Sequence, residues 1–239
     1  MIDIKNLQYT LPHGMTLIDN VSFSIKPRDF IVLLGSNGSG KSTLIKLLNR
    51  TYGLTAGEIL FDHRPVNTIS HQHFSKKVIT LTQFVKDSLF FDLTVAENGK
   101  LIEESYHDHS LASRQDLKTY LKGFNPKLAK ALHTPINHLS GGEQQILAFA
   151  LYLCHQPDLL LLDEHTSALD PKIADTVMAF TAKIIHEKNL TCVMTTHNLE
   201  FALQYGNRVL ALNHGQLVFQ CDKSQQPIDK HLLLEKCYV

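Results

Sequence analysis

The 239-residue sequence has no charge excess, no long apolar run and no closely paired cysteines. Its 23 Lys and Arg balance 23 Asp and Glu, so it lacks the basic surplus with which nucleic-acid binders grip phosphates. Charged residues are 19% and apolar residues 44%, ordinary globular usage that excludes disordered and low-complexity readings. The longest unbroken apolar run, Ile146–Cys154, has nine residues. A bilayer span needs about 20, so no direct membrane insertion is expected. The opening MIDIKNLQYT has no basic stretch followed by an apolar one, so no signal peptide is expected. Cys154, Cys192, Cys221 and Cys237 form no CxxC pair. That excludes a zinc knuckle or redox motif and points to unpaired, mostly buried thiols in a reducing cytosol. Histidine is the one abundance, 14 in all. His71-x-His73 and His107-x-His109 have i, i+2 spacing, which turns the rings to different faces of a helix. No third ligand stands nearby, so exposed polar residues are expected there rather than a metal site.

No Pro/Gly/Ser-rich linker and no fixed-period repeat divides the chain. Ile2, Ile4 and Leu7 open a strand, and Val21, Phe23 and Ile25 alternate along Leu17–Ile25. Phe30–Leu34 is continuous and apolar, as in a strand buried on both faces. Leu44, Leu47 and Leu48 follow on one face of a helix, then strands at Gly57–Phe61 and Val78–Leu81. From about Phe84 to Pro157 strand signals stop, and Thr94-x-x-Glu97 and Ser140-x-x-Glu143 spell capping boxes. Strands and helices then alternate: Leu159–Leu162, a helix begun by Asp170-Pro171, Thr191–Thr195, Leu199–Tyr205, Arg208–Leu212 and Gln216–Phe219. That order predicts a mostly parallel α/β sheet interrupted by a helical insertion.

Three clusters carry chemistry. Gly35-Ser36-Asn37-Gly38-Ser39-Gly40-Lys41-Ser42, followed by Thr43, is GxxxxGK[ST] between a buried strand and a helix. Its glycines let successive N–H groups turn toward phosphate oxygens, and the helix end adds a partial positive charge. Lys41 supplies a full charge for the β- and γ-phosphates, and Ser42 offers a hydroxyl to Mg²⁺. Leu159–Leu162 then ends in Asp163-Glu164. Carboxylates at the tip of a buried strand are costly unless used, which suits Asp163 to hold Mg²⁺ and Glu164 to act as general base on a water. Lastly, Leu139-Ser140-Gly141-Gly142-Glu143 opens a helix. A capping box needs no glycine pair, so a second anion-binding helix end is expected.

Together with Ser167-Ala168-Leu169-Asp170 and Thr196-His197, these motifs resemble the nucleotide-binding subunits of ATP-binding cassette (ABC) transporters over essentially the whole chain. The resemblance implies a P-loop NTPase (RecA-like) α/β fold with a mostly parallel sheet, an N-terminal antiparallel β region and an inserted α-helical subdomain. It makes 1–239 one ABC ATPase domain, with 1–83 and 158–239 as nucleotide-binding core and 84–157 as the helical signature subdomain. It implies ATP and Mg²⁺ as ligands. Tyr9 would stack on adenine; Gly35 to Thr43 and Asp163 would hold phosphates and metal. Gln83 would sense Mg²⁺ and the attacking water, Glu164 would be the base, and His197 would contact the γ-phosphate. Ser140, Gly141 and Gly142 would reach the γ-phosphate of a second copy.

The same resemblance implies a homodimer that powers a separate transmembrane permease, with a solute-binding protein, on the cytoplasmic face of the inner membrane. The aromatic-rich Phe84–Phe91 segment would receive a short permease helix. Leu162 to Pro171 resembles a subgroup of bacterial importer ATPases, some linked to aromatic amino-acid uptake. The alternative is a soluble ABC ATPase, as in iron–sulfur cluster assembly, whose loop after the base differs from Thr166–Asp170. Two departures from the family pattern are visible: His165 where proline is frequent, and Asn198 where aspartate is frequent.

Overall fold

The computed structural model describes residues 1–106 and 116–237. The His107-x-His109 pair and the Cys237 side chain lie outside the described residues. Cys154, Cys192 and Cys221 are buried, and no candidate metal cluster of His, Cys, Asp or Glu occurs among the described residues. Contacts divide the chain into two compact units: residues 1–80, 158–164 and 185–239, and residues 81–157 with 165–184.

The first unit is built on sheets. Strands β1 (Ile2–Thr10), β2 (Thr16–Ile25), β3 (Phe30–Leu34), β4 (Ala56–Phe61), β5 (Arg64–Pro65), β6 (Val78–Leu81), β7 (Leu159–Asp163), β8 (Cys192–Thr195), β9 (Arg208–Asn213) and β10 (Gln216–Asp222) form two sheets. One has four strands in the order β2-β1-β4-β5, with antiparallel pairs. The other has six, in the order β10-β9-β3-β8-β7-β6. There β3 pairs parallel with both β8 and β9, β7 pairs parallel with β8, and β10 runs antiparallel to β9. All five residues of β3 and the four leucines of β7 are buried. Each such side chain stabilises the fold by roughly 1.5–3 kcal/mol, which is why these strands read as unbroken apolar runs. The parallel register aligns Leu33, Thr195 and Asp163 in one row, so the segments after β3, β7 and β8 leave the same edge of the sheet. Open α/β sheets bind ligands at that edge.

A buried ion pair ties the other end of β3. Asp29 accepts from Arg208 and from the Lys26 N–H at 2.8 Å, and Arg208 also donates to Ser24 O at 2.8 Å. Both side chains are almost fully enclosed.

The second unit holds helices Val95–Tyr106, Leu117–Phe124, Pro126–Lys130 and Gly141–Leu153, and none of the ten named strands runs inside 84–157. Thr94 and Glu97 close the first of these helices as a capping box. The unit also takes 165–184. The reason lies in aromatic packing: Phe180 meets Phe149 edge-on at 6.2 Å and Phe124 at 6.1 Å. No described helix is long and apolar enough to cross a membrane.

Candidate functional site

β3 ends at Leu34 and the chain turns at Gly35 (φ +149°). A side chain there would collide with Leu212 O and Ser39 Oγ. Gly40 (φ +105°) precedes helix Lys41–Leu48, and its Cβ would lie 2.9 Å from Leu17 O. Only glycine meets both demands. Ser36, Asn37, Gly38 and Ser42 are exposed, while Ser39 and Lys41 are buried. The Lys41 ammonium donates to Gly35 O at 2.8 Å and Ser36 O at 3.1 Å, and stands 3.7 Å from Glu164 Oε1. Its charge is thus stabilised by its own loop and one carboxylate, as a buried cation requires. Ser39 Oγ is buried without a hydrogen-bond partner.

Asp163 and Glu164 arrive at this loop from the tip of β7. Ser42 Oγ donates to Asp163 Oδ1 at 3.1 Å, and Thr195 Oγ1 donates to the same oxygen at 2.7 Å. Glu164 takes a left-handed backbone (φ +49°), and its N–H donates to Thr195 Oγ1 at 3.0 Å. A cavity of 330 Å³ lies over the loop, lined among others by Asn37, Gly38, Lys41, Ser42, Leu17 and Glu164. A hydroxyl and a carboxylate side by side form an all-oxygen donor set, which fits Mg²⁺ with several waters retained.

His197 is exposed in the turn between β8 and helix Leu199–Gln204. The departure at Asn198 has a local reason: its side chain accepts from the Glu200 N–H at 2.9 Å and caps that helix. His165 is also explained by its surroundings. It is 2% exposed and its ring meets Thr181 Oγ1 at 3.4 Å. Burial pushes its pKa down to about 4, so the ring stays neutral.

Tyr9 lies near the end of β1. Its ring stacks on Tyr52 at 5.1 Å and 12°, and both pack against the core of the first unit. Tyr9 does not line the cavity; its apolar wall comes from Leu17. Tyr52 takes one face of the ring, a nonlocal partner that spacing along β1 could not reveal. Gln83 follows β6 as a half-buried residue of the second unit.

That unit also contains Ser140-Gly141-Gly142. Ser140 Oγ donates to Glu143 Oε2 at 2.8 Å, the Ser140 N–H donates to the same oxygen at 3.0 Å, and Ser140 Oγ accepts from the Glu143 N–H at 3.4 Å. These bonds hold the Glu143 carboxyl below its ordinary range. Gly142 also has a packing reason to lack a side chain: its Cβ would lie 2.9 Å from Ile173 Cγ2. Gly141 is the exposed member of the pair. Sequence reading missed Thr195, whose only signal is one hydroxyl at the end of an apolar strand.

A glycine loop leading into a helix, a buried lysine and a hydroxyl–carboxylate pair at a sheet edge define a nucleotide-binding P-loop ATPase. The family model described as ABC transporter matches residues 18–167, and the chain belongs to that family. It is 34% identical to the tyrosine transport ATP-binding protein of Clostridioides difficile, over 99% of this chain and 98% of the relative. It is 30% identical to the phosphonates import ATP-binding protein PhnC of Shouchella clausii, over 96% and 89%. Among solved structures, the dimeric ATP-binding cassette MJ0796 in a post-hydrolysis state bound to ADP and Pi matches at TM-score 0.75 and 27% identity, over 93% of this chain and 98% of that one. The fold also matches cbiO1 of Clostridium perfringens, part of the cbiONQ complex, at TM-score 0.80 and 22% identity, over 98% and 93%. The chain is thus an ATP-hydrolysing, nucleotide-binding ABC transporter subunit of importer type. The soluble iron–sulfur assembly alternative is not favoured.

Proposed function

We propose that this subunit works as one half of a homodimer, docked to a transmembrane permease on the cytoplasmic face of the inner membrane and served by a solute-binding protein. The observation that carries the catalytic reading is the meeting of Lys41, Ser42, Asp163 and Glu164 at one loop. Backbone N–H groups from Gly35 to Thr43 bind the phosphates, and Lys41 neutralises the β- and γ-phosphates. Ser42 and Asp163 would hold Mg²⁺, and Gln83 would sense it; when bound, the ion offsets charge on the transferring phosphoryl group. Glu164 orients the attacking water and accepts its proton. His197 contacts the γ-phosphate. Tyr9, one face of which is taken by Tyr52, would stack on adenine with the other.

Residues 84–157 are assigned as the signature subdomain. In the dimer, Ser140, Gly141 and Gly142 of one copy close over the γ-phosphate held by the other. The closed state then lasts only while that phosphate bridges the copies. Phe84 and Phe90, 59% and 61% exposed, offer an apolar surface for the permease. The tyrosine transport relative favours an aromatic amino acid as cargo, though selectivity resides in the proteins that touch the cargo. The test is Glu164→Gln in saturating ATP and Mg²⁺, which blocks turnover and leaves binding intact. Light scattering should give twice the monomer mass; a strict monomer would refute the dimer mechanism.

A further inference from the structure

From the row of bonds at the sheet edge we infer that Thr195 is a positioning residue for hydrolysis, acting through both acidic residues of the site. The inference rests on the catalytic reading of Asp163 and Glu164 above. Thr195 is 1% exposed, at the tip of β8 in register with Asp163 on β7. Its single hydroxyl donates to Asp163 Oδ1 at 2.7 Å and accepts from the Glu164 N–H at 3.0 Å. The first bond fixes the carboxylate rotamer. Oδ1 then takes Thr195 and Ser42 together, and the carboxylate's second oxygen is aimed by the same constraint. The second bond steadies a residue whose left-handed backbone costs of order 1–3 kcal/mol. One hydroxyl therefore sets the direction of the metal-binding carboxylate and the turn from which the general base projects. An apolar side chain of the same shape would fill the space and lose both functions.

The experiment compares the full natural chain with Thr195→Val, which keeps shape and burial, and Thr195→Ser, which keeps the hydroxyl. ATP affinity without Mg²⁺ should be the same in all three, because the phosphate loop is untouched. In Thr195→Val, kcat should fall by about 10- to 100-fold, as for lost outer partners of a metal site. KM should rise only as far as the Mg²⁺-dependent part of ATP affinity is lost. The gain in ATP affinity on adding Mg²⁺ should shrink in the same variant, and Thr195→Ser should restore both readouts. A Thr195→Val chain with natural kcat and natural Mg²⁺ response overturns the assignment, as does a Thr195→Ser chain no better than Thr195→Val. A natural chain that binds ATP and Mg²⁺ but hydrolyses nothing overturns instead the catalytic reading, while the Mg²⁺ response still tests Thr195.

Discussion

His165 should make stability fall as pH drops below 6.5, before most carboxylates begin to titrate. The ring is buried beside Thr181 and its pKa is pushed down to about 4 in the folded chain, from an ordinary 6.5. The unfolded chain therefore binds a proton that the folded chain refuses. Stability from this source is complete above pH 6.5 and is lost as pH falls from there toward 4. At about 1.4 kcal/mol per pKa unit, the full loss is about 3 kcal/mol, and about 2 kcal/mol of it is gone by pH 5. Urea unfolding of the natural chain and of His165→Gln, from pH 8 to pH 5, isolates the term, because the carboxylates shared by both chains cancel in the difference. The natural chain should lose stability relative to the variant steadily below pH 6.5. A flat difference across that range would refute the reasoning and mean that the ring takes up its proton without opening the fold.

Two further outcomes follow from buried charges. Lys41→Ala should abolish measurable ATP binding in a calorimetric titration, since the loop loses its only full positive charge; unchanged affinity would remove Lys41 from the site. Asp29→Ala should cost about 3–5 kcal/mol of unfolding free energy by stranding the Arg208 guanidinium. The double change Asp29→Leu/Arg208→Met should recover most of that in denaturant melts, and additive losses would show that the pair is not coupled.

The parts of the site that are contiguous in sequence were legible before any coordinates. The phosphate loop combines glycine demand, lysine and helix start within eight residues, and each has a local cause. The same holds for the Thr94 and Ser140 capping boxes and for the apolar runs of β3 and β7. What depends on partners far along the chain was not legible. Tyr9 meets Tyr52, residues 165–184 join the second unit through Phe180, and Thr195 earns its role from a strand 32 residues away. Short elements such as β5 and helix His71–Lys77 left too few turns or alternations to register. Asn198 and His165 looked like unexplained departures until a helix cap and a buried pocket accounted for them.

The bond from Ser42 to Asp163 spans 121 residues of chain, and this has a consequence for how the protein is made. At about 5–20 residues per second, a ribosome finishes the loop roughly 6–24 s before it adds the carboxylate. β8 and β9, the neighbours that flank β3, come later still. During that interval the most apolar strand of the nascent chain has neither neighbour. The catalytic edge is therefore among the last features to be assembled, and a chain stalled before residue 163 carries a phosphate loop with unprotected strand edges, a natural substrate for chaperones.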